Sequence, residues 1–214
     1  MDVVVDNLDR IAAGMGTTVS LTVVSWLGAF VIGIAVASFR VGPIPPLRGV
    51  GAVYVEVVRN CPLTVLIVVF YFGFPSIGII EPRFTSAVIV LSLYTGAFVA
   101  ETVRAGVNTV GVGQVEAARS LGLSFPQVLG LVVLPPALRS VVGPLGSLFS
   151  ALIRNTSIAY FISVVELTGT AQQLSVATSR FVPVFLAVAL AYLLLTLPTG
   201  LVVGVIERRT AIKR

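Results

Sequence analysis

Two ionisable side chains near the end of an apolar stretch could do chemistry in this chain. Glu101 and Arg104 lie three residues apart, so a helix would place them on one face. Burying an ion in hydrocarbon costs about 2.5–3.5 kcal/mol, so such groups usually face a cavity or a partner. We therefore treat both residues as candidates for a polar path through the chain. The structural alternative is that they only pair with each other.

A run of four polar residues follows a later apolar segment: Arg154, Asn155, Thr156 and Ser157. An arginine matches a carboxylate well, so the run could hold an α-carboxylate or an α-amino group. Alternatively, Thr156 or Ser157 only caps the end of a helix. Glu166 could bind an ammonium group, although we favour a role in bracing a loop. Tyr94 could line the same path, although we favour packing.

The reactive side chains argue against catalysis. The chain has no histidine, and every aspartate lies in the first nine residues. These facts exclude a serine nucleophile with a histidine base, an aspartyl dyad and a metal site built on histidine or cysteine pairs. Lys213 is the only lysine, and it lies in the tail, so a Ser–Lys arrangement in a bilayer and an ATP-binding loop are excluded too. We expect neither catalytic nor metal-binding residues.

The composition places these groups in a membrane. The chain is 57% hydrophobic and 11% charged, whereas soluble domains carry about 25% charged residues. Five segments are apolar and long enough to cross a bilayer: 17–38, 61–80, 84–103, 133–153 and 182–206. Prolines 135, 136 and 144 predict a break or kink in the fourth. The sequence therefore predicts an all-α integral membrane protein with five transmembrane helices, forming one domain over residues 1–214.

The loop charges predict an orientation. Basic residues concentrate in cytoplasmic loops, and here most lie in the first loop, the third loop and the C-terminus. The N-terminus is then outside and the C-terminus, with Lys213 and Arg214, is inside. The arginines form no basic stripe, so nucleic-acid binding is not expected. The polar segment 113–131 then faces the cytoplasm.

The segment 113–131 reads as a helix, a sharp turn and a second helix. Gly113 precedes a run of good helix formers from Gln114 to Leu121, and Gly122 follows where a left-handed residue usually ends a helix. Ser124 and Gln127 have the spacing of a capping box. Prolines 135 and 136 are expected to end the second helix.

The first of these helices has a face suited to docking. Ala117, Ala118 and Leu121 are small or apolar, whereas Glu116 and Arg119 are charged. An alanine face with a charged rim could enter a groove on a soluble partner. An ordinary capped loop helix is the alternative.

Several motifs, in order along the chain, resemble those of the membrane subunits of bacterial ABC importers. Glu116-Ala117-Ala118, Gly122 and Leu134-Pro135 resemble the EAA motif of that family. Further stretches resemble the polar amino-acid permeases of the histidine/glutamine/glutamate type: Arg59-Asn60-Cys61-Pro62-Leu63, Tyr71-Phe72-Gly73, Ala100-Glu101-Thr102-Val103-Arg104-Ala105-Gly106, Gly113-Gln114-Val115, Asn155-Thr156-Ser157 and Glu166-Leu167-Thr168. Over residues 15–207 the chain is most similar to the glutamate permease subunits of actinobacterial type.

The resemblance implies a multi-pass permease subunit of an ATP-driven importer in the bacterial cytoplasmic membrane, with glutamate as the expected substrate. No cofactor is expected in this chain, since ATP and Mg would bind to a separate dimer of ATPase subunits. That dimer would grip 113–131 through these residues: Gly113, Gln114, Glu116, Ala117, Ala118, Arg119, Leu121 and Gly122. The candidates for a polar path would become a substrate pathway.

The resemblance also implies two further partners. One is a second permease subunit, which we expect to be a relative rather than an identical copy. The other is an extracellular substrate-binding protein that delivers the amino acid. From composition alone, a passive channel or an intramembrane scaffold in contact with membrane lipid remains the alternative, but neither needs a capped cytoplasmic helical pair.

Overall fold

Apolar α-helices account for most of the structure, a computed structural model that describes residues 2–210. Ten α-helices lie in this part of the chain: α1 (Asp2–Val5), α2 (Leu8–Val41), α3 (Pro45–Asn60), α4 (Leu63–Val68), α5 (Arg83–Val107), α6 (Val112–Ser120), α7 (Phe125–Gln127), α8 (Leu134–Asn155), α9 (Leu167–Thr178) and α10 (Phe181–Thr210). π-helical turns cover Val69–Gly73 and Val128–Val133, and 3₁₀ turns cover Phe74–Ile77 and Thr156–Ile162. Residues 2–210 contain no strand. The all-α membrane fold is therefore confirmed.

The predicted spans have counterparts, with one qualification. Four helical segments are long and apolar enough to cross a membrane: Leu8–Val41, Arg83–Val107, Val128–Ile162 and Phe181–Arg208. The fifth counterpart is a helix pair, Pro45–Asn60 and Leu63–Ile77, bent by 103° at the break between them. The bend therefore precedes the predicted span 61–80, whose helical part is Leu63–Ile77.

The bend between α3 and α4 has a local cause. Cys61 and Pro62 both have extended backbone, with ψ of 135° and 129°. A proline disfavours helical conformation in the residue before it, so α3 ends at Asn60. After α4 the helix widens into the π turn and ends at Gly78, whose φ of +85° suits glycine. The second apolar segment is therefore shorter than predicted.

The prediction that a helix ends at Pro135 and Pro136 is wrong. The two prolines occupy the first turn of α8, and the helix runs on through them from Val128 to Ile162. The turn before them is π-helical, and such a turn re-forms the hydrogen-bond ladder one residue out of register. Pro144 lies inside α8 without ending it. The fourth span is therefore a single long helix.

Small residues let the long helices approach closely. On α2, a Cβ on Gly28 would overlap the side chain of Ser92 in α5, and a Cβ on Gly33 would overlap Val99. Gly106 of α5 lies against α8 in the same way, and Gly146 of α8 lies against α10. Tight packing at small residues is the usual way in which helices associate in lipid. It fixes α2, α5, α8 and α10 relative to one another.

Candidate functional site

The corner after α6 has the geometry that the sequence predicts. Gly122 has a φ of +82°, and its N–H donates to the carbonyl oxygen of Arg119 at 2.9 Å. The N–H of Leu123 donates to the carbonyl oxygen of Ala118 at 3.3 Å. These two bonds form a Schellman motif, which satisfies carbonyls at the end of the helix. We call residues 113–131 the elbow.

The second half of the elbow forms part of the predicted capping box. The side-chain oxygen of Gln127 accepts from the backbone N–H of Ser124 at 2.9 Å. The hydroxyl of Ser124 donates to the same oxygen at 2.9 Å instead of accepting from the backbone N–H of Gln127. One of the two reciprocal bonds is therefore present, and it holds the start of the second helix to the corner.

The two alanines of α6 lie on different faces. Ala118 is buried, and α6 packs on the π-helical turn Val128–Val133. Ala117 is exposed, because neighbouring helical residues point about 100° apart. The prediction of one shared alanine face is therefore wrong. The remaining residues predicted for coupling are exposed: Gly113, Gln114, Glu116, Arg119, Leu121 and Gly122.

The exposed side of α6 includes large apolar side chains. Val112, the first residue of α6, is 72% exposed, and Leu121, which follows its last residue, is 81% exposed, while Glu116 and Ala117 are exposed between them. Both residues lie at the ends of a short polar helix outside the candidate membrane spans, and neither is covered by the described part of the chain.

Glu101 lies at the centre of an ion-pair cluster near the elbow. Its carboxylate contacts the guanidinium groups of Arg40 and Arg104, and Arg59 Nη1 lies 3.8 Å from Oε2. Each arginine is in the last turn of its helix, α2, α3 or α5. The guanidinium of Arg59 also lies over the ring of Phe98, 5.2 Å from its centroid. We call Arg40, Arg59, Arg104 and Glu101 the arginine cluster.

The sequence predicts only part of this cluster. Pairing between Glu101 and Arg104 follows from their spacing on one helix and is present. Arg40 contributes to the basic charge of the first loop and Arg59 to that charge and to a family motif, but no spacing in the sequence places either beside Glu101. The only sign of their role is that each ends an apolar or amphipathic helix, where a cation is also favoured by the helix dipole.

Glu166 makes a bracing contact. It is fully buried, and its oxygens accept from the backbone N–H groups of Gly169 at 2.8 Å and Thr168 at 2.9 Å. The phenol of Tyr192 donates to Oε2 at 2.6 Å. Burial raises the pKa of Glu166 above its usual range, although the three hydrogen bonds favour the ionised form. Glu166 thus caps α9 and ties it to α10.

The other pathway candidates differ in exposure. Arg154 is exposed and forms no ion pair with an acidic residue in the described part of the chain. Thr156 is buried and donates to the carbonyl oxygen of Ile153 at 2.8 Å, whereas Asn155 and Ser157 are half-buried. The half-buried ring of Tyr94 packs 5.1 Å from the ring of Phe98.

These candidates form two groups. Glu101 and Arg104 lie with the two further arginines at the ends of α2, α3 and α5, whereas Arg154 to Ser157 lie at the end of α8, where Thr156 interacts with Tyr192, the residue that donates to Glu166. Among the residues whose side chains the structure describes, 3–124 and 126–208, no group of three or more His, Cys, Asp or Glu could hold a metal ion.

Known proteins match the chain over nearly its whole length. The family of binding-protein-dependent transport system inner membrane components matches residues 29–212. A probable glutamine ABC transporter permease protein, GlnM of Bacillus subtilis, is 38% identical over 98% of this chain and 97% of its own length. The glutamate transport system permease protein GluC of Corynebacterium efficiens is 38% identical over 92% of each chain.

A solved structure extends the match to three dimensions. A chain from the crystal structure of an amino acid ABC transporter with histidines superposes with a TM-score of 0.91 and 30% identity, covering 96% of both chains. The similarity in sequence and the similarity in fold therefore indicate the same family. The chain belongs to the family of binding-protein-dependent transport system inner membrane components, and within it to the permeases of amino-acid ABC importers.

Proposed function

We propose that this chain is the membrane-spanning permease subunit of an ATP-driven glutamate importer. The exposed elbow, closed by the Schellman motif at Gly122, is the observation that carries the ATP-driven part of the proposal. A passive channel or scaffold has no use for a protruding polar helix with two exposed apolar side chains. Since the chain has no ATP-binding loop, the motor must be another subunit.

The elbow is the proposed docking point for a dimer of ATPase subunits that hold ATP and Mg. Leu121 and Val112 would enter a groove on the ATPase, and Glu116 and Arg119 would set the register through charge. Ala118 would act from inside by holding α6 on the π turn. The motion of the ATPase would then reach α8 directly, since the elbow continues into that helix.

We propose that the elbow end of the molecule is cytoplasmic, with the N-terminus outside and the C-terminus inside. Arg104 precedes the elbow by nine residues, and Glu101 joins Arg40 and Arg59 to it, so three basic residues gather on this side, which supports the orientation by the bias of basic residues. Lys213 and Arg214, whose charges also support the predicted orientation, lie outside the described residues.

Glutamate is the proposed substrate because of two relatives named for it. They are the permease GluC of Corynebacterium efficiens and the glutamate/aspartate import permease GltJ of Escherichia coli, which is 34% identical. Glutamine is the second candidate, because GlnM of Bacillus subtilis is 38% identical over a larger share of the chain. The two amino acids differ only in a carboxylate against an amide.

Arg154 is the proposed contact for the α-carboxylate, with Asn155 and Ser157 beside it. Its exposed guanidinium has no acidic partner among the described residues, so its fork of donors is available to a ligand. Thr156 and Glu166 would support this site through their contacts with Tyr192, whereas Tyr94 packs against Phe98. Glu101 and Arg104 serve the arginine cluster and not the pathway.

A second, related permease subunit and an extracellular substrate-binding protein complete the proposed importer. Purification of the tagged chain from its host membrane is expected to recover an ATPase subunit and a permease of different sequence. Recovery of the chain alone, or with only copies of itself, would contradict the heteromeric assembly.

Competition uptake tests the substrate. In host cells that lack the gene, uptake of radiolabelled glutamate is expected to fall and to return with the wild-type gene. Excess unlabelled glutamate should abolish the restored uptake, while glutamine and histidine should compete weakly. Stronger competition by glutamine would identify a glutamine permease, and uptake that survives ATP depletion would support a channel.

A further inference from the structure

The arginine cluster carries more positive than negative charge. Three guanidinium groups surround a single carboxylate, which leaves an excess of two positive charges. Glu56, one turn before Arg59 on α3, does not correct this, since it accepts hydrogen bonds from Asn60 and forms no ion pair with a described arginine. Partly buried charge without a counter-ion is unfavourable at the edge of a bilayer.

Most hydrogen-bond donors of the cluster are unused. Each guanidinium has five N–H donors, and the bonds in the cluster are those from Arg40 and Arg104 to Glu101. Among the described residues, Arg59 is held only by an ion pair at 3.8 Å and by the ring of Phe98. Its side chain is 36% exposed and that of Arg104 is 32% exposed, so an anion can reach both.

The helix that presents Arg59 also has an apolar outer face. On α3, Val50, Val53 and Val57 are each at least 60% exposed and lie at helical spacing, on the side away from the buried Gly51 and Val55. This helix is bent by 103° from the next one. An amphipathic helix of this kind lies in the bilayer interface, with its apolar face toward the acyl chains.

We propose that the arginine cluster binds the phosphate of an anionic phospholipid. The forked donors of arginine match phosphate oxygens, and the exposed valines would hold α3 against the acyl chains, at the depth where lipid phosphates lie. The lipid phosphate would supply the counter-charge that Glu101 alone does not provide. The lipid would lie in the cytoplasmic leaflet, and only this placement rests on the orientation proposed above.

Lipid titration of the full-length chain, purified with its partner subunits, tests this proposal. Native mass spectrometry would compare dioleoyl phosphatidylglycerol with dioleoyl phosphatidylcholine. We expect tighter binding of the anionic lipid, and Arg59→Gln should weaken it about fivefold without changing the zwitterionic lipid, since a basic residue near an anionic surface contributes about 1 kcal/mol. Arg59→Lys should give an intermediate value, because it keeps the charge but loses the fork.

Two further variants separate a lipid site from a general effect of charge or folding. Glu101→Gln raises the excess charge, so it should strengthen binding of the anionic lipid, whereas damage to the fold would weaken it. Arg180→Gln removes an exposed arginine at the start of α10 and should have no effect. The proposal would be overturned if Arg180→Gln weakened binding of the anionic lipid as much as Arg59→Gln, or if the wild type bound the two lipids with equal affinity.

Sodium phosphate and ATP distinguish a lipid from a soluble anion. Neither should displace phosphatidylglycerol at equal concentration, because they lack acyl chains to contact α3. Displacement by either would show a soluble-anion site and overturn the lipid assignment. Loss of glutamate uptake with lipid binding intact would count against the proposed function and leave this inference standing.

Discussion

The phenol of Tyr192 donates a hydrogen bond of 2.6 Å to the fully buried carboxylate of Glu166. The same carboxylate accepts from the backbone N–H groups of Thr168 and Gly169, in the first turn of α9. One side chain thus joins α9 to α10 and satisfies a helix start that would otherwise be buried without partners. Two predictions follow from this relationship.

Tyr192→Phe should lower the free energy of unfolding by about 1–2 kcal/mol, because it removes a hydrogen bond to a buried carboxyl group. It also removes a partner of the Thr168 hydroxyl, which lies 3.1 Å from the phenol oxygen. Thermal unfolding of the purified complex would measure the loss. Tyr160→Phe is the matched control, since Tyr160 has no hydrogen bond from its hydroxyl in the described structure. Equal Tm values for the two variants would rule out the bracing role.

Glu166 should make stability depend on pH. Burial raises its pKa in the folded state above the value of about 4.3 of a free glutamate. Its contribution to stability is then greatest below that value and is lost as pH rises through the folded pKa. The Tm of wild type minus that of Glu166→Gln should therefore fall from acidic to neutral pH. A difference that grows with pH would contradict the raised pKa.

Gly122→Pro should uncouple transport from ATP hydrolysis while leaving the protein in the membrane. Proline cannot adopt the φ of +82° and removes the N–H that bonds to Arg119. A strain of about 3 kcal/mol would depopulate the corner about a hundredfold. Uptake and ATPase activity would be measured in the same membranes. Gly130→Ala, at a position where a Cβ meets open space in the described structure, should transport normally.

Glu116→Lys should also uncouple transport, for a different reason. Glu116 is exposed on the docking side of α6, so reversing its charge would not disturb the fold but would repel a complementary surface on the ATPase. Co-purification of the ATPase is expected to fall, more strongly at low salt than at high salt. Glu81→Lys reverses an exposed charge before α5 and is the control. Full uptake by Glu116→Lys would exclude this residue from coupling.

Arg154→Ala should change substrate affinity and not assembly. If the guanidinium pairs with the α-carboxylate, its loss should raise the KM for uptake about tenfold or more. Arg154→Lys should recover part of this loss. Arg180→Ala provides a control at another exposed arginine without an ion pair in the described structure. Unchanged uptake kinetics in an assembled Arg154→Ala complex would remove this residue from the pathway.

Features fixed by neighbouring residues could be predicted from the sequence. The left-handed corner at Gly122 and the pair of Glu101 and Arg104 depend on local backbone geometry, and both are present. The apolar segment 84–103 is likewise recovered within α5, because hydrophobic length alone decides it.

Features that depend on contacts between distant parts of the chain could not be predicted. Arg40 reaches Glu101 across 61 residues of sequence, and no spacing rule connects them. The burial of Ala118 depends on the π turn at Val128–Val133, which the sequence does not indicate. The same turn allows the helix to pass through Pro135 and Pro136. In each case tertiary packing overrides a correct local preference.

The unbroken helix from Val128 to Ile162 has a mechanical consequence. At 1.5 Å per residue, its α8 portion alone measures about 33 Å, which is the hydrocarbon thickness of a bilayer. This helix is a rod that begins within the elbow, six residues after Gly122, and passes Arg154 near its far end. A sideways push on the end within the elbow would tilt the rod, so force generated in one aqueous compartment would arrive as displacement in the opposite one.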